Sequence, residues 1–215
     1  MARTARASVG GICYHVINRG NRRARVFHND ADYLAFTELT KRANARCQMR
    51  MVGYCLMPNH FHFVLWPRED GDLSRWVQWL LTSQVRRYHR VHATEGRVWQ
   101  GRFKAFPIEQ DDHLLRVLRY VERNPLRANL VSSAAAWPWS SLGPNRIARE
   151  PDCLPLPLPQ NWLELVNVPQ TGAELDAIRK CLDRGKPFGA EPWQQDIAAQ
   201  LGLEASLKPR GRPPK

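Results

Sequence analysis

Two histidines one residue apart, His60 and His62, stand in the run Met57-Pro58-Asn59-His60-Phe61-His62-Phe63-Val64-Leu65-Trp66. The run reads as a β-strand, and on a strand residues i and i+2 share a face. His60 and His62 therefore point one way while Phe61, Phe63 and Leu65 point the other. An imidazole pair of that kind can hold a metal ion, and two histidines on a solvated strand face would look the same, so the spacing leaves both readings open. A second group lies further on. Leu114, Val117, Leu118 and Val121 recur at i, i+3, i+4 and i+7, the apolar stripe of a helix, with Arg116, Arg119, Tyr120, Arg123 and Asn124 towards its other side or its borders. Tyr120 and Asn124 are four apart and so neighbours on one face. A phenol beside an amide oxygen among arginines is an odd face to give to plain solvent, although a tyrosine straddling a core edge is common.

The elements that must position these groups can be read from period and punctuation. Ile12 to Asn18 alternates as a first strand, closed by the turn-prone Asn18-Arg19-Gly20-Asn21. Asp30 to Ala45 is a helix capped by Asn29 or Asp30, with Tyr33, Phe36, Leu39 and Ala43 at helical spacing. Arg50 to Leu56 is a second strand, joined through Pro58-Asn59 to the histidine strand as a hairpin. Asp72 to His92 is a long helix whose stripe of Leu73, Trp76, Val77, Leu80, Leu81 and Val85 must lie on a sheet. Arg102 to Glu109 is a short fourth strand. Asp111 or Asp112 then caps the tyrosine helix, which runs to about Asn124 and is ended by Pro125.

The order β-α-β-β-α-β followed by a helix is the split βαβ, or ferredoxin-like, α+β pattern: a four-stranded antiparallel sheet with two crossover helices on one face. That leaves the opposite face for the tyrosine helix, over the histidines. After Trp137-Pro138-Trp139-Ser140-Ser141 the character changes, and Pro151, Pro155, Pro157 and Pro159 mark an extended linker. The expected division is a domain over 1–150 and an appendage over 151–215. In the appendage, Ala173 to Asp183 and Trp193 to Gln200 read as short helices folded against the main domain or against DNA. The tail Lys208-Pro209-Arg210-Gly211-Arg212-Pro213-Pro214-Lys215 should be disordered when free.

Composition narrows the partner. The 215 residues carry 32 Lys+Arg against 20 Asp+Glu, a net charge of +12. Such an excess, recurring along most of the chain, points to nucleic acid rather than to an anionic membrane surface. No stretch approaches the length of apolar sequence that a membrane span needs. Met1 to Gly11 lacks the apolar core of a secretory signal, which points to a cytoplasmic, nucleoid-associated protein. Five cysteines, Cys13, Cys47, Cys55, Cys153 and Cys181, show no C-x-x-C spacing and read as reduced packing residues.

Five ordered blocks resemble the single-tyrosine HUH transposases, and within them the REP-associated tyrosine transposases. They are Tyr14-His15-Val16-Ile17-Asn18-Arg19-Gly20-Asn21, Met57-Pro58-Asn59-His60-Phe61-His62, Trp99-Gln100-Gly101-Arg102-Phe103, Tyr120-Val121-Glu122-Arg123-Asn124-Pro125-Leu126-Arg127-Ala128 and Trp137-Pro138-Trp139-Ser140-Ser141. The resemblance implies a ferredoxin-like HUH domain, a divalent cation (Mg²⁺ or Mn²⁺), and single-stranded DNA with REP-type palindromic hairpins as substrate. It makes His60 and His62 the metal pair, Tyr120 the nucleophile and Asn124 the third ligand, where relatives often carry the longer glutamine. Cleavage would leave a 5′-phosphotyrosine and a free 3′-hydroxyl, and reversal on another strand would complete transposition without ATP. Among the other tyrosines only Tyr88, beside Arg86 and Arg87, is a reserve nucleophile.

Contacts to the strand are expected from Arg102, Lys104, Arg116, Arg119 and Arg123, with Arg86 and Arg87 on the basic half of the long helix, and base reading from Asn18, Arg19 and Asn21 in the first loop. Pro209-Arg210-Gly211-Arg212-Pro213 resembles an AT-hook core, whose Arg210 and Arg212 would enter a narrow minor groove; a non-specific polybasic tail is the other reading. His113 is given no catalytic part. Two further functions use the same residues: a nucleic-acid-binding regulator without cleavage, and a hydrolytic nuclease without a covalent intermediate. The REP-associated branch implies a monomer with tyrosine and histidines in one chain, whereas other HUH relatives dimerise and complete each other's sites in trans, so a dimer is the other reading.

Overall fold

Residues 8–147 and 153–208 are described by the structure, a computed structural model. Four strands form, β1 (Cys13–Arg19), β2 (Met49–Met57), β3 (His60–Pro67) and β4 (Lys104–Ile108), in the order β2-β3-β1-β4 with antiparallel neighbours throughout. This is the split βαβ sheet, and β1 and β3 are its central strands. The crossovers are α1 (Asp30–Arg46) and α2 (Asp72–His92). Asn29 caps α1 by accepting the Asp32 N–H at 3.1 Å, and Asp30 and Asp32 in the first turn suit the positive end of the helix dipole.

Strand alternation sorts the side chains into two cores. Tyr14, Val16, Tyr54, Leu56, Phe61, Phe63 and Leu65 pack with Phe36 of α1 and Trp76 and Leu80 of α2. Cys13, Cys55, Met57, Val64, Phe106 and Ile108 pack on the opposite face with Leu114, Val117, Leu118 and Val121 of α3 (Asp112–Glu122). The tyrosine helix thus lies on the face away from both crossovers, as its stripe requires. Gly53, at a β-bulge in β2, leaves room for Leu118, whose Cδ2 would lie 2.6 Å from an added Cβ.

Pro125 bends the chain instead of stopping it, contrary to the sequence expectation. α3 ends at Glu122, Arg123 forms the junction, and α4 (Asn124–Arg127) adds a further turn, with the Arg127 N–H bonded to Arg123 O at 2.9 Å and the Ala128 N–H to Asn124 O at 3.0 Å. Proline in the first turn of a helix lacks an N–H that has no partner there in any case, so it starts a turn readily.

Both sheet edges are covered in part, which shortens the unpaired strand surface. Along β2, the Leu56 N–H donates to Trp139 O at 2.8 Å and the Ser141 N–H to Tyr54 O at 3.0 Å. Along β4, Phe188 bonds Pro107 O and the Glu109 N–H. After the proline-rich stretch comes a helix that was not expected, α5 (Trp162–Asn167), followed by α6 (Gly172–Arg184), α7 (Glu191–Leu201) and α8 (Glu204–Leu207). Trp162 and Val166 of α5, Ile178 and Cys181 of α6, and Phe188 after it join the core beneath α3, so α5 and α6 share the main domain's packing. A buried carboxylate ties the pieces together: Glu122 accepts from Ser141 Oγ at 2.5 Å and from Trp162 Nε1 at 2.7 Å. The expected boundary near residue 150 falls outside the described residues. All five cysteines are free thiols.

Candidate active site

His60 and His62 lie on β3 on the α3 side of the sheet, with ring centroids 5.0 Å apart. Register places Arg19 opposite His60 and Ile17 opposite His62 on β1. Each histidine has its Nδ1 engaged. His60 Nδ1 meets Asn59 Oδ1 at 2.6 Å, and His62 Nδ1 meets His15 Nε2 at 2.8 Å. Neither Nε2 has a hydrogen-bond partner among the described residues, so both lone pairs remain for a ligand. Were Nε2 of His62 to hold a metal, its Nδ1 would carry the proton and donate it to His15, a partner that would hold the ring in one orientation.

Burial keeps these rings neutral. It pushes His15 down to about 3, and it takes His60 down to about 4 with the cationic Arg19 and Arg127 acting the same way. His62 is held well below its ordinary value, again chiefly by burial. A neutral imidazole is the form that ligates a metal. An unfolded histidine takes its proton near 6.5, and the folded one does so only near the lowered values, so between them the unfolded state binds more protons. The metal-free protein is therefore expected to lose stability as pH falls from about 6.5 towards 4, by up to about 1.4 kcal/mol per pH unit per histidine. Urea midpoints in EDTA at about pH 7 and about pH 5 test this, and equal midpoints would contradict a buried neutral set.

Tyr120 faces the pair from α3. Its ring meets His62 edge-on at 5.8 Å and His15 at 6.2 Å, and the Arg127 guanidinium lies over its face, 4.3 Å from the centroid. Asn124 is buried one turn further on, and its side chain makes no hydrogen bond to a described residue. His60, His62, Tyr120 and Asn124 all line one cleft of about 760 Å³, within one chain. Two imidazole nitrogens, an amide oxygen and room for further oxygen ligands could hold a divalent cation.

Glu109, Asp111 and His113 form another donor group of divalent-metal type, with ligand atoms within 4.8 Å of one another. Its oxygens already serve the fold. Asp111 caps α3 through the His113 N–H at 2.8 Å, and Glu109 accepts the Ala190 N–H at 2.6 Å. His113 packs edge-on against Phe188, 5.2 Å between centroids.

Of the residues expected to touch DNA, Asn18, Arg19, Arg102 and Lys104 line the cleft. Asn18 is buried, donating to Gly101 O at 3.1 Å and accepting the Arg19 N–H at 2.9 Å. Asn21 lies in a neighbouring hollow with Arg22, Arg25 and Arg97. Arg86 is exposed on α2, and Arg87 pairs with Asp32 at 3.0 Å, both on the crossover side of the sheet. Arg116 is exposed on α3. Arg119 and Arg123 are turned to the end of α5: Arg119 donates to Leu165 O at 2.7 Å and Val168 O at 2.9 Å, and Arg123 to Val166 O at 2.9 Å and to Asn167 O. Cations on the last carbonyls of a helix are a stabilising arrangement. Arg210 and Arg212 lie outside the described residues. Tyr88 is bonded to His28 Nε2 at 2.9 Å on the crossover side.

Sequence reasoning assigned no part to His15, Arg127 or the cleft wall formed by Arg179, Leu182 and Asp183 of α6. His15 and Arg127 sit inside quoted blocks, but nothing local shows what they face.

A histidine pair on a central strand, facing a tyrosine helix packed on the same side of a split βαβ sheet, defines the HUH-type tyrosine transposase and endonuclease class. The family model described as "Transposase IS200 like" matches residues 8–124, and the chain belongs to that family. No curated protein sequence matches it. A solved REP-associated tyrosine transposase bound to a REP hairpin shares the fold at 20% identity, with a TM-score of 0.54 over 66% of this chain and 82% of that one. A protein from Deinococcus radiodurans described as a transposase is 18% identical, with a TM-score of 0.40 over 56% of this chain and 96% of that one. Among the described residues no helix is long and apolar enough to cross a membrane.

Proposed function

We propose that this protein is a metal-dependent single-strand DNA endonuclease and strand transferase, acting on REP-type palindromic hairpins through a 5′-phosphotyrosine on Tyr120. The observation that carries the reading is the convergence of His60, His62, Tyr120 and Asn124 on one cleft in one chain, with Nε2 of both histidines left unengaged. His60, His62 and Asn124 would hold Mg²⁺ or Mn²⁺, which supplies charge to the non-bridging oxygens of the scissile phosphate. Tyr120 attacks phosphorus in line, and the 3′-hydroxyl leaves. Because the bond energy is kept on tyrosine, a later 3′-hydroxyl can reverse the step on another strand.

The strand enters past Arg19, Arg102 and Lys104, whose charges suit successive phosphates, and Arg116 and Asn21 would meet DNA further out, whereas Arg86 and Arg87 lie on the crossover face, where Asp32 holds Arg87. Arg119 and Arg123 would have to leave the carbonyls of α5 to reach a phosphate, and in this reading they dock the C-terminal helices instead. One chain completes the site, which fits a monomer.

The test is an end-labelled hairpin strand incubated with protein and Mn²⁺ and resolved on a denaturing gel. A 3′-end label is expected to move with the protein, and a 5′-end label to appear as a shorter free oligonucleotide. Cleavage with no label on protein would point to a hydrolytic nuclease, and binding with no cleavage to a regulator.

A further inference from the structure

Arg127 is partly buried and has no counter-charge among the described residues. Its Nη1 is inaccessible to solvent with no hydrogen-bond partner, and its guanidinium forms no ion pair with a described residue. It follows Tyr120 and Asn124 at i+7 and i+3, on the same side of the continued helix, and its Cζ stands 4.3 Å from the Tyr120 ring centroid. The other charges lining this cleft are Arg19, Arg102, Lys104 and Arg179, and the single carboxylate among the described lining residues, Asp183, lies 3.5 Å from Lys104 Nζ. A desolvated cation without a counter-charge is costly unless a ligand supplies one. The tyrosine face compensates in part as a cation–π partner. What the pocket lacks is an anion with oxygens that a planar guanidinium can grip, and a phosphodiester has that form.

We infer that Arg127 is a catalytic residue of strand cleavage, donating to a non-bridging oxygen of the scissile phosphate while its charge stabilises the Tyr120 phenolate. This rests on the strand-cleavage reading above. In the step, Tyr120 Oη forms a bond to phosphorus as the bond from phosphorus to the 3′-oxygen breaks. The phenolic proton passes to water in the open cleft, and the departing 3′-oxygen takes a proton from water. Arg127 keeps its protons throughout. The cation sits against the ring before attack, so charge developing on the phosphate and on the phenol meets a group already in place.

The experiment follows formation of the protein–hairpin adduct under single turnover with Mn²⁺ at saturating DNA, for wild type, Arg127→Gln and Arg127→Lys. Arg127→Gln is expected to slow adduct formation by about 10²-fold. Its Mn²⁺ affinity and its circular dichroism should match wild type, and methylguanidinium in solution should restore part of the rate. Arg127→Lys keeps the charge without the planar fork and should fall between the two. A Gln variant that reaches the wild-type rate at saturating DNA would overturn the inference, because Arg127 would then contribute binding alone. Should the Gln variant not fold, Arg127→Lys decides: a wild-type rate overturns the assignment and a slower one supports it. A wild-type protein that forms no adduct removes the strand-cleavage reading and this inference together, whereas an active wild type with an equally active Gln variant removes this inference alone.

Discussion

Tyr120→Phe is expected to abolish the covalent protein–DNA band, lowering adduct formation by on the order of 10⁴-fold or more, while the protein still folds and binds the hairpin. The substitution is a clean one here. The Tyr120 hydroxyl makes no hydrogen bond to a described residue, so its removal leaves no buried group without a partner, and the ring that packs on His62 and under Arg127 stays in place. A stability change outside the usual range for a mild substitution would mean that the hydroxyl has a structural bond as well. An adduct that survives would sink the nucleophile assignment. Tyr88 is then a poor substitute, because it lies on α2, across the sheet from the histidine pair and bonded to His28.

Removing one histidine should have the next largest effect. His60→Ala is expected to weaken Mn²⁺ binding by at least about 10²-fold and to stop adduct formation at limiting metal. His60 is preferable to His62 for this test. His60 is only partly buried and its partner Asn59 stays within reach of water, whereas deleting His62 would strand the fully buried His15. Mn²⁺ titration by electron paramagnetic resonance measures the affinity directly, independent of cleavage. The measurement also separates the two donor groups of the protein. Binding that survives His60→Ala but is lost in Glu109→Ala would move the ion to the start of α3, beside Asp111 and His113.

Much of the frame was legible because it rests on local chemistry. α2 spans Asp72–His92, as its stripe and flanking residues implied, and Asn29 caps α1 with the side chain that its type suggests. The hairpin bearing the histidines followed from a short Pro-Asn turn between two alternating runs. The end of the tyrosine helix was misjudged at Pro125, since a proline signal does not distinguish the last turn of one helix from the first turn of the next. α5 was missed for a related reason: six residues after a proline-rich run carry too little periodicity to stand out, and the helix is held by Arg119 and Arg123 from elsewhere in the chain.

By itself the sequence determined which residues share a face: His60 with His62 through the strand period, Tyr120 with Asn124 through the helix period, and the apolar stripes that force helices onto both sides of a sheet. Each of these is a relation between residues a few positions apart, set by backbone geometry. Only the tertiary structure decided what those faces meet. His15 reaches His62 across 47 positions through strand register, α6 brings Arg179 and Asp183 to the cleft from beyond the proline-rich segment, and the bend at Pro125 lays Arg127 on Tyr120. Such contacts depend on how whole elements dock, so no local pattern encodes them.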